Sequence, residues 1–433
     1  MSRTLAIRAL VRIEDGAYAN VVLPALLRAS DLPARDRAQV TEWVYGTVRM
    51  QRALDYQLGP CLDRPLAKLD PPVRAGLRLG AYQLTHGIAA HAAVGETVAA
   101  MGKVSPRAKG FVNAVLRKFS RSGPPWSLPT GEDVESIATR ASMPNWIVDR
   151  LVADLGAVDT AAALAAVNEP GVVTLRVNRQ RATPDAVEQE LVEAGIAVVR
   201  GALLADDLLV TGTGDIRALP AVRDGRATPQ DQASHAVAQL VGAQPGERIL
   251  EVGAAPGGKT SALAEAMGDD GLVVGLDRNV ARTRMVGEGA DRLGLNSVTP
   301  IVADGMELPF RGGSFDRVLV DAPCSGLGVL RRRPEARWRL EPATIDQLAR
   351  IQPLLLEAAS RVVRPGGVLV YSVCTLTRAE TVAVDEWAVT ALPGWESLPP
   401  PSAPWAPVGR GARLLPSAAG TDGMYILSLR CPL

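Results

Sequence analysis

The chain has 433 residues, of which 47% are hydrophobic, 21% charged and 4% aromatic. This length predicts two or three domains, and this composition excludes a collagen-like repeat and a fully disordered chain. The net charge of +1 hides an asymmetry, because residues 1–125 carry 18 Lys and Arg against 9 Asp and Glu, and residues 126–433 carry 29 against 37. The basic front indicates contact with a polyanion, and a chance imbalance of surface charge is the alternative.

The cysteine content and the N-terminus indicate the compartment. The four cysteines are too few for a disulfide scaffold, and their spacing predicts no metal site. The N-terminus has no apolar signal core, and no run of 18 apolar residues occurs in the chain. We therefore expect a cytoplasmic protein without a membrane segment, in which thiols stay reduced.

The first half of the chain contains two segments with different patterns. Residues 1–120 predict a helical bundle, because apolar residues recur at helical spacing, for example from Val112 to Phe119. The run Gly123-Pro124-Pro125 ends this pattern and predicts a first domain of residues 1–125. Residues 126–227 predict a linker and a small α+β subdomain, with a strand at 172–177 and a helix at 184–194 that begins after Thr183.

From residue 228 to residue 433, short apolar runs alternate with helical stretches. The predicted strands are 248–252, 272–276, 298–302, 317–320 and 368–373, and 423–429 reads as a last core strand. This alternation predicts an α/β domain with a mainly parallel sheet that is covered by helices on both faces. Ligands of such sheets bind beyond the carboxyl ends of the strands, so the residues after each strand are the candidate site residues.

The loop after the first of these strands is rich in glycine. Gly253 is followed by Ala254-Ala255-Pro256-Gly257-Gly258-Lys259-Thr260, which satisfies the P-loop pattern of Gly, four residues, Gly-Lys and Ser or Thr. The strand 317–320 runs into Asp321, as does the strand that holds magnesium in P-loop enzymes. A P-loop NTPase is therefore one hypothesis for this chain.

Carboxylates at the other strand ends favour a different ligand. Asp277, Asp304 and Asp321 follow three strands in turn, and Lys259 is the only lysine after residue 118. Three carboxylates beside one lysine suit a nucleoside that carries a cationic group, such as the sulfonium of S-adenosylmethionine, better than a triphosphate. A carboxylate at the tip of the second strand also suits the hydroxyl groups of a ribose.

Two cysteines also follow strands. Cys324 lies in the run Asp321-Ala322-Pro323-Cys324-Ser325-Gly326, and Cys374 comes directly after the strand 368–373. We expect both thiols at the ligand-binding edge, whereas Cys61 and Cys431 read as small buried hydrophobic residues. An NTPase has no use for such a pair of thiols.

These motifs together resemble the RsmB (Sun/Fmu) family of ribosomal-RNA cytosine methyltransferases. The run 254–260, the run 321–326 and Pro229-Gln230-Asp231-Gln232-Ala233-Ser234 resemble that family's signatures, and the front segment resembles the RNA-binding NusB fold. Segment 143–220 resembles the family's small preceding subdomain. The resemblance implies a Rossmann-like domain that uses S-adenosylmethionine to form 5-methylcytosine in small-subunit (16S) ribosomal RNA; tRNA is the alternative substrate. A monomer is expected.

The resemblance also implies roles for individual residues. The loop 254–260 would cradle the methionine moiety of the cofactor, Asp277 would bind its ribose and Asp304 its adenine side. Cys374 would be the nucleophile that adds to the cytosine ring, and Cys324 would assist product release. On chemical grounds, Lys259 is the candidate cation that lowers the pKa of Cys374. Asp321 would then donate a proton or a hydrogen bond to ring nitrogen 3.

Two further features concern the loops around the site. Arg331, Arg332, Arg333, Arg337 and Arg339 interleave with Trp338 after Cys324, a pattern that predicts contact with RNA phosphates and bases. The segment Arg378-Ala379-Glu380-Thr381 departs from the Pro-Glu-Glu-Asn that is usual in the family. Glu380 is retained, but the contacts of this loop are left open.

Overall fold

The computed structural model describes residues 1–124, 126–212 and 214–433 and divides into two compact units. The helical unit comprises Met1–Ala153, Asn168–Pro170 and Leu330–Leu340, and the second unit comprises Asp154–Val167, Gly171–Val329 and Glu341–Leu433. The predicted boundary residue Pro125 lies outside the described residues, and the three-domain division stays a prediction. In the part of the chain that is described, no helix combines the length and apolar character needed to cross a membrane.

The front of the chain is helical, as its periodicity predicts. Its helices are α1 (Ser2–Glu14), α2 (Ala19–Arg28), α3 (Ala34–Arg49), α4 (Gln51–Leu58), α5 (Pro71–Thr85), α6 (Ala90–Val104), α7 (Lys109–Ser122), α8 (Val134–Arg140) and α9 (Asn145–Leu155). The apolar faces of α1 to α7 share one core that includes Trp43, Leu77 and Phe119. Helices α5 and α7 approach closely at Gly80, where an added Cβ would lie 2.5 Å from Leu116 Cδ1.

The arginine segment, residues 330–340, does not form the RNA-contacting surface that its sequence predicts. It packs into the helical unit through a short 3-10 helix, Pro334–Trp338, in which Arg337 is fully buried. Arg337 Nη1 donates to Asn168 Oδ1 at 2.8 Å, and Trp338 Nε1 donates to the carbonyl oxygen of Val48 at 2.8 Å. These two side chains are thus structural, because both donate hydrogen bonds to groups of the helical unit and Arg337 is enclosed by it.

The guanidinium of Arg331 is also largely enclosed. Its side chain is 8% exposed, and its carbonyl oxygen accepts from Arg49 Nη2 at 3.0 Å. Arg339 lies over the ring of Tyr18, with its guanidinium carbon 4.6 Å from the ring centre. Only Arg332 and Arg333 of this segment are exposed, so the predicted alternation of arginine and tryptophan is not a continuous RNA-facing surface.

The next segment forms a small antiparallel sheet. Its elements are α10 (Ala157–Ala166), β1 (Val173–Val177), α11 (Pro184–Glu193), β2 (Ala197–Arg200), β3 (Leu208–Thr211), α12 (Pro220–Arg223) and β4 (Ala227–Pro229), with the strand order β2-β3-β1-β4. The predicted helix start is confirmed, because the Thr183 hydroxyl accepts from the backbone N–H of Ala186.

The rest of the chain builds a larger mixed sheet. Its elements are α13 (Gln232–Leu240), β5 (Arg248–Val252), α14 (Gly258–Ala266), β6 (Leu272–Asp277), α15 (Val280–Leu293), β7 (Val298–Val302), β8 (Phe315–Asp321), α16 (Pro342–Val362), β9 (Val363–Val373), α17 (Val382–Ala391), β10 (Glu396–Ser397), β11 (Ala406–Val408), β12 (Gly411–Leu414), α18 (Pro416–Ala419) and β13 (Met424–Arg430). The strand order is β11-β12-β13-β9-β8-β5-β6-β7, and β10 pairs with β13.

The pairing in this sheet brings the predicted strand ends to one edge. Strands β7, β6, β5, β8 and β9 are parallel, as the alternation predicts, and β13 is antiparallel to β9. Val252 pairs with Val320, and Asp321 pairs with Ser372. At the far edge of the sheet, Ala406–Val408 forms the short strand β11, which pairs with β12.

Candidate active site

Cys324 and Cys374 lie side by side at the carboxyl edge of the larger sheet. Their Sγ atoms are 3.3 Å apart, within hydrogen-bonding distance for sulfur. The two residues meet because β8 and β9 are neighbouring parallel strands that end in register. Both side chains are partly exposed, as a pair of thiols must be in order to reach a ligand.

The two thiols differ in acidity. The hydrogen bond from Cys324 lowers the pKa of Cys374, and the charge of Lys259 acts in the same direction, against the effects of burial and of Asp321. The same hydrogen bond, together with burial, raises the pKa of Cys324. Cys374 is therefore the more readily ionised thiol, and its main partner is a second cysteine rather than the lysine that the sequence suggested.

Lys259 forms an ion pair with Asp321. Its Nζ donates to Asp321 Oδ2 at 2.8 Å, and its side chain is 9% exposed. Burial alone would lower the pKa of Lys259, but the Asp321 and Glu251 carboxyl groups raise it above its usual value. The ammonium is thus kept charged and paired with a carboxylate. This pairing argues against a role for Lys259 in binding phosphate, as the lysine of a P-loop does.

Glu251 lies on β5, two residues before the glycine-rich loop, and sequence reasoning missed it. The Thr260 hydroxyl donates to Glu251 Oε2, and the carboxyl group is fully buried. Burial, with a contribution from the charge of Asp321, raises the pKa of Glu251 to about 8. An acidic residue inside a predicted buried strand was the signal that could have identified it.

Two glycines let the loop after β5 turn sharply and pack closely. Gly253 has φ +82°, and a Cβ there would lie 2.2 Å from the carbonyl oxygen of Asp321, so only glycine fits. Gly257 has φ +102°, a Cβ there would lie 3.1 Å from Val286 Cα, and it precedes α14, whose first residues are Gly258, Lys259 and Thr260. Ala254 and Ala255 are buried, and Arg282 Nη2 donates to the Ala255 carbonyl oxygen at 2.8 Å. The turn thus brings the N-terminus of α14 to the same edge of the sheet as the two cysteines.

Arg176 on β1 holds the start of α14 from the small sheet. Its Nη1 donates to the carbonyl oxygen of Gly258 at 2.7 Å, and its Nη2 donates to Ser261 Oγ at 2.9 Å and to Glu265 Oε1 at 2.8 Å. The sequence contained this residue within the motif Leu175-Arg176-Val177-Asn178, but no local pattern indicated its partners.

The predicted cofactor carboxylates have different surroundings. Asp277, at the end of β6, is 5% exposed; its Oδ1 accepts from the N–H of Asn279 at 2.9 Å, and its Oδ2 is 3.4 Å from Arg282. Asp304 is exposed, and its Oδ1 accepts from the N–H of Met306 at 2.9 Å. Both carboxylates follow strands at the same edge as the two cysteines. Within the described ranges, no group of three or more His, Cys, Asp or Glu is arranged to hold a metal ion.

Comparison with known proteins agrees with this architecture. Residues 238–430 match the family described as 16S rRNA methyltransferase RsmB/F. Residues 1–121 match the NusB family, and residues 143–217 match the ferredoxin-like domain of RsmF/B-like methyltransferases.

Similar proteins match over nearly the whole chain. The chain is 35% identical to the "Probable ribosomal RNA small subunit methyltransferase B" of Bacillus subtilis (99% of this chain, 98% of that protein). It is also 35% identical to the "Ribosomal RNA small subunit methyltransferase B" of Pseudomonas putida, with the same coverage. The crystal structure of PH0851 superposes with a TM-score of 0.85 at 26% identity and covers 98% of both chains. The chain therefore belongs to the RsmB/F family of 16S rRNA methyltransferases, with a NusB-family domain at its front.

Proposed function

We propose that this protein methylates carbon 5 of a cytosine in small-subunit (16S) ribosomal RNA, with Cys374 as the nucleophile. The observation that carries the proposal is the pair of thiols 3.3 Å apart, of which Cys374 has the lowered pKa. A thiolate is the form that attacks an electron-poor ring carbon. The relatives named ribosomal RNA small subunit methyltransferase B support the choice of RNA.

The residues around the glycine-rich loop fit S-adenosylmethionine as the cofactor. We assign the methionine moiety to Ala254, Ala255, Pro256, Gly257, Gly258, Lys259 and Thr260, the ribose to Asp277 and the adenine side to Asp304. The fit rests on the glycine-rich turn before α14 and on carboxylates at the same edge of the sheet, which attract a cationic ligand. When bound, this cofactor supplies an electrophilic methyl group.

Cys374 begins the reaction by adding its thiolate to carbon 6 of the cytosine. The new bond breaks the conjugation of the ring and makes carbon 5 an enamine carbon, which is nucleophilic. Electron density then moves toward nitrogen 3. We assign Asp321 as the hydrogen-bond or proton donor there, a role that requires its carboxyl group to be protonated in the complex with RNA; Lys259 donates to Oδ2, so Oδ1 is the atom that carries this proton. A proton passed to nitrogen 3 returns to Asp321 as the methyl group adds to carbon 5. The nucleobase must also lie outside an RNA duplex to reach these residues, so the target cytosine is single-stranded or flipped out.

Cys324 completes the reaction after methylation. The proton on carbon 5 passes to Cys324, directly or through a water molecule, while the Cys324 thiol gives its own proton to the departing sulfur of Cys374, 3.3 Å away. The electron pair of the carbon 5–hydrogen bond reforms the ring double bond as the carbon 6–sulfur bond breaks, and Cys374 leaves as a thiol. The raised pKa of Cys324 keeps it protonated, as this relay requires.

Two substitutions separate these roles. Cys374→Ala is expected to abolish methylation and covalent trapping of RNA, because the nucleophile is lost. Cys324→Ala is expected to accumulate a covalent protein–RNA adduct that survives a denaturing gel, because release is blocked. Cys431→Ala, which changes a cysteine outside the pair, serves as the control with unchanged activity. If the Cys374 and Cys324 variants behave alike, the assignment of roles is wrong.

The RNA substrate is tested separately from the chemistry. Bisulfite sequencing of ribosomal RNA and tRNA from cells with and without the protein identifies any cytosine that loses its methyl group. A protein-dependent site in 16S rRNA is expected. A site that appears only in tRNA would replace the proposed substrate and leave the thiol chemistry in place.

A further inference from the structure

Glu380 is a fully buried carboxylate beside the two cysteines. Its Oε1 accepts from the backbone N–H of Ser325 at 2.7 Å and from Gln352 Nε2 at 3.2 Å. Its Oε2 accepts from the hydroxyl groups of Ser325 at 2.6 Å, Thr377 at 2.8 Å and Thr375 at 3.1 Å. All five donors are neutral, and an ionised carboxylate, which only accepts, matches all of them.

These contacts join the two loops that carry the thiols. Ser325 directly follows Cys324, and Thr375 directly follows Cys374. The Ser325 and Thr375 hydroxyl groups also lie 2.7 Å from each other. One carboxylate therefore ties both loops together, and a change at Glu380 alters the placement of both sulfur atoms.

The negative charge of Glu380 acts differently on the two thiols. It adds to the hydrogen bond and the burial that raise the pKa of Cys324. The groups that act on Cys374 are Cys324, Lys259, Asp321 and Asp422, and Glu380 is not among the main ones. Charge and geometry thus favour the same arrangement, in which Cys324 stays a thiol and donates its hydrogen bond to Cys374.

We propose that Glu380 is a positioning residue that gives the two cysteines unequal roles, keeping Cys324 as the hydrogen-bond donor and Cys374 as the acceptor. It acts through the loops and through Cys324, without touching the substrate. The meaning of this asymmetry for catalysis rests on the proposed function. The asymmetry itself is a property of the protein without RNA or cofactor.

The test measures which cysteine reacts. The full chain is treated briefly with iodoacetamide near neutral pH, and the modification of Cys374 and of Cys324 is quantified in the digested peptides. In the unchanged protein, alkylation at Cys374 is expected to dominate. In Glu380→Gln the ratio of Cys374 to Cys324 modification is expected to fall by about ten-fold, the effect of a pKa difference reduced by one unit. An unchanged ratio would overturn the proposal.

A matched control distinguishes a specific effect from general loosening. Asp385 on α17 is also a buried carboxylate, and it accepts from Arg410 Nε at 2.7 Å instead of from the cysteine loops. Asp385→Asn is expected to leave the ratio as it is in the unchanged protein. An equal fall in Asp385→Asn and Glu380→Gln would show that the effect is not specific and would also overturn the proposal.

Milder variants keep the proposal testable if Glu380→Gln does not fold. Ser325→Ala and Thr377→Val each remove one donor to Glu380 and are expected to lower the ratio by about two-fold to three-fold, a fraction of the full effect. No change in either variant would contradict the proposal. Because the assay contains no RNA, failure of the proposed methylation leaves its result interpretable, and the two proposals can fail separately.

Discussion

Cys374 shares a hydrogen bond with Cys324, a residue fifty positions away in the sequence. Neither cysteine has a local neighbour that explains its acidity, and the difference arises only when β8 and β9 pair. The buried carboxyl group of Glu251 and the ion pair of Lys259 with Asp321 lie around the same loop. At the scale of single residues, the site is a set of titratable groups whose protonation depends on their neighbours.

The raised pKa of Glu251 predicts a pH dependence of stability. An unfolded glutamate ionises near pH 4.5, whereas Glu251 in the folded protein ionises near pH 8. Between these values the folded state holds the extra proton, so the free energy of unfolding falls as the pH rises, by up to about 1.4 kcal/mol per pH unit for this one group.

Glu251→Gln removes this titration while keeping an acceptor for the Thr260 hydroxyl. Urea unfolding at pH 5, 6, 7 and 8 is expected to give a flatter dependence for the variant than for the unchanged protein. Parallel pH dependences for the two proteins would show that Glu251 does not titrate in this range.

At the scale of elements, the arginine segment shows how a charged run becomes part of a core. Arg337 is fully buried and donates to Asn168 Oδ1 and to the carbonyl oxygens of Ser142 and Arg49. Burial lowers the pKa of its guanidinium, although arginine is the cation that best tolerates such a site. The segment therefore anchors the chain shortly after Cys324 in the helical unit.

The anchoring role of Arg337 predicts a specific loss of stability. Arg337→Met keeps much of the side-chain volume but leaves buried acceptors without a donor, so the free energy of unfolding is expected to fall by about 2 kcal/mol. Arg333→Ala, at an exposed position of the same segment, is the control and is expected to change stability by less than about 0.5 kcal/mol. Urea unfolding of the full chain measures both values. Equal free energies of unfolding for the two variants would contradict the anchoring role of Arg337.

At the scale of the whole molecule, the charge is unevenly distributed. The helices α6 and α7 and their connection carry exposed basic residues with no acidic residue from 97 to 124: Lys103, Arg107, Lys109, Arg117, Lys118 and Arg121. The charged residues that we assign to the cofactor and the cytosine are instead carboxylates and one buried lysine. We therefore expect a division of labour, in which the front contributes most of the affinity for RNA phosphates.

This division predicts different responses to salt. If about six phosphates are bound, the affinity for RNA is expected to fall by roughly a thousand-fold between 50 and 200 mM salt. The affinity for the cofactor is expected to change by less than about two-fold, because its contacts are short-range and enclosed. Titrations of each ligand at several salt concentrations provide the comparison.

A charge-reversed front is the control for this experiment. Lys109→Glu with Arg117→Glu is expected to weaken RNA binding and to reduce its salt dependence while cofactor binding stays the same. Equal salt sensitivity of RNA and cofactor binding would contradict the division of labour.

Much of the architecture could be predicted from short-range patterns. Apolar spacing gave the helices of the front, and the alternation of strands and helices predicted the parallel order in which Asp277, Asp321 and Cys374 follow strands that end at one edge. The glycine-rich loop was recognisable because a backbone with positive φ at Gly253 and Gly257 requires this residue. The catalytic and binding roles of these residues stay predictions.

The order of the elements, the cysteines and carboxylates at their ends, and the family resemblance can all be read from the sequence. That Cys324 bonds Cys374, that Glu380 joins their loops and that Arg337 belongs to a core is visible only in the folded chain. The difference lies in the range of the interactions. Periodicity and turn chemistry act over a few residues, whereas burial and hydrogen-bond partners depend on which distant segments pack together.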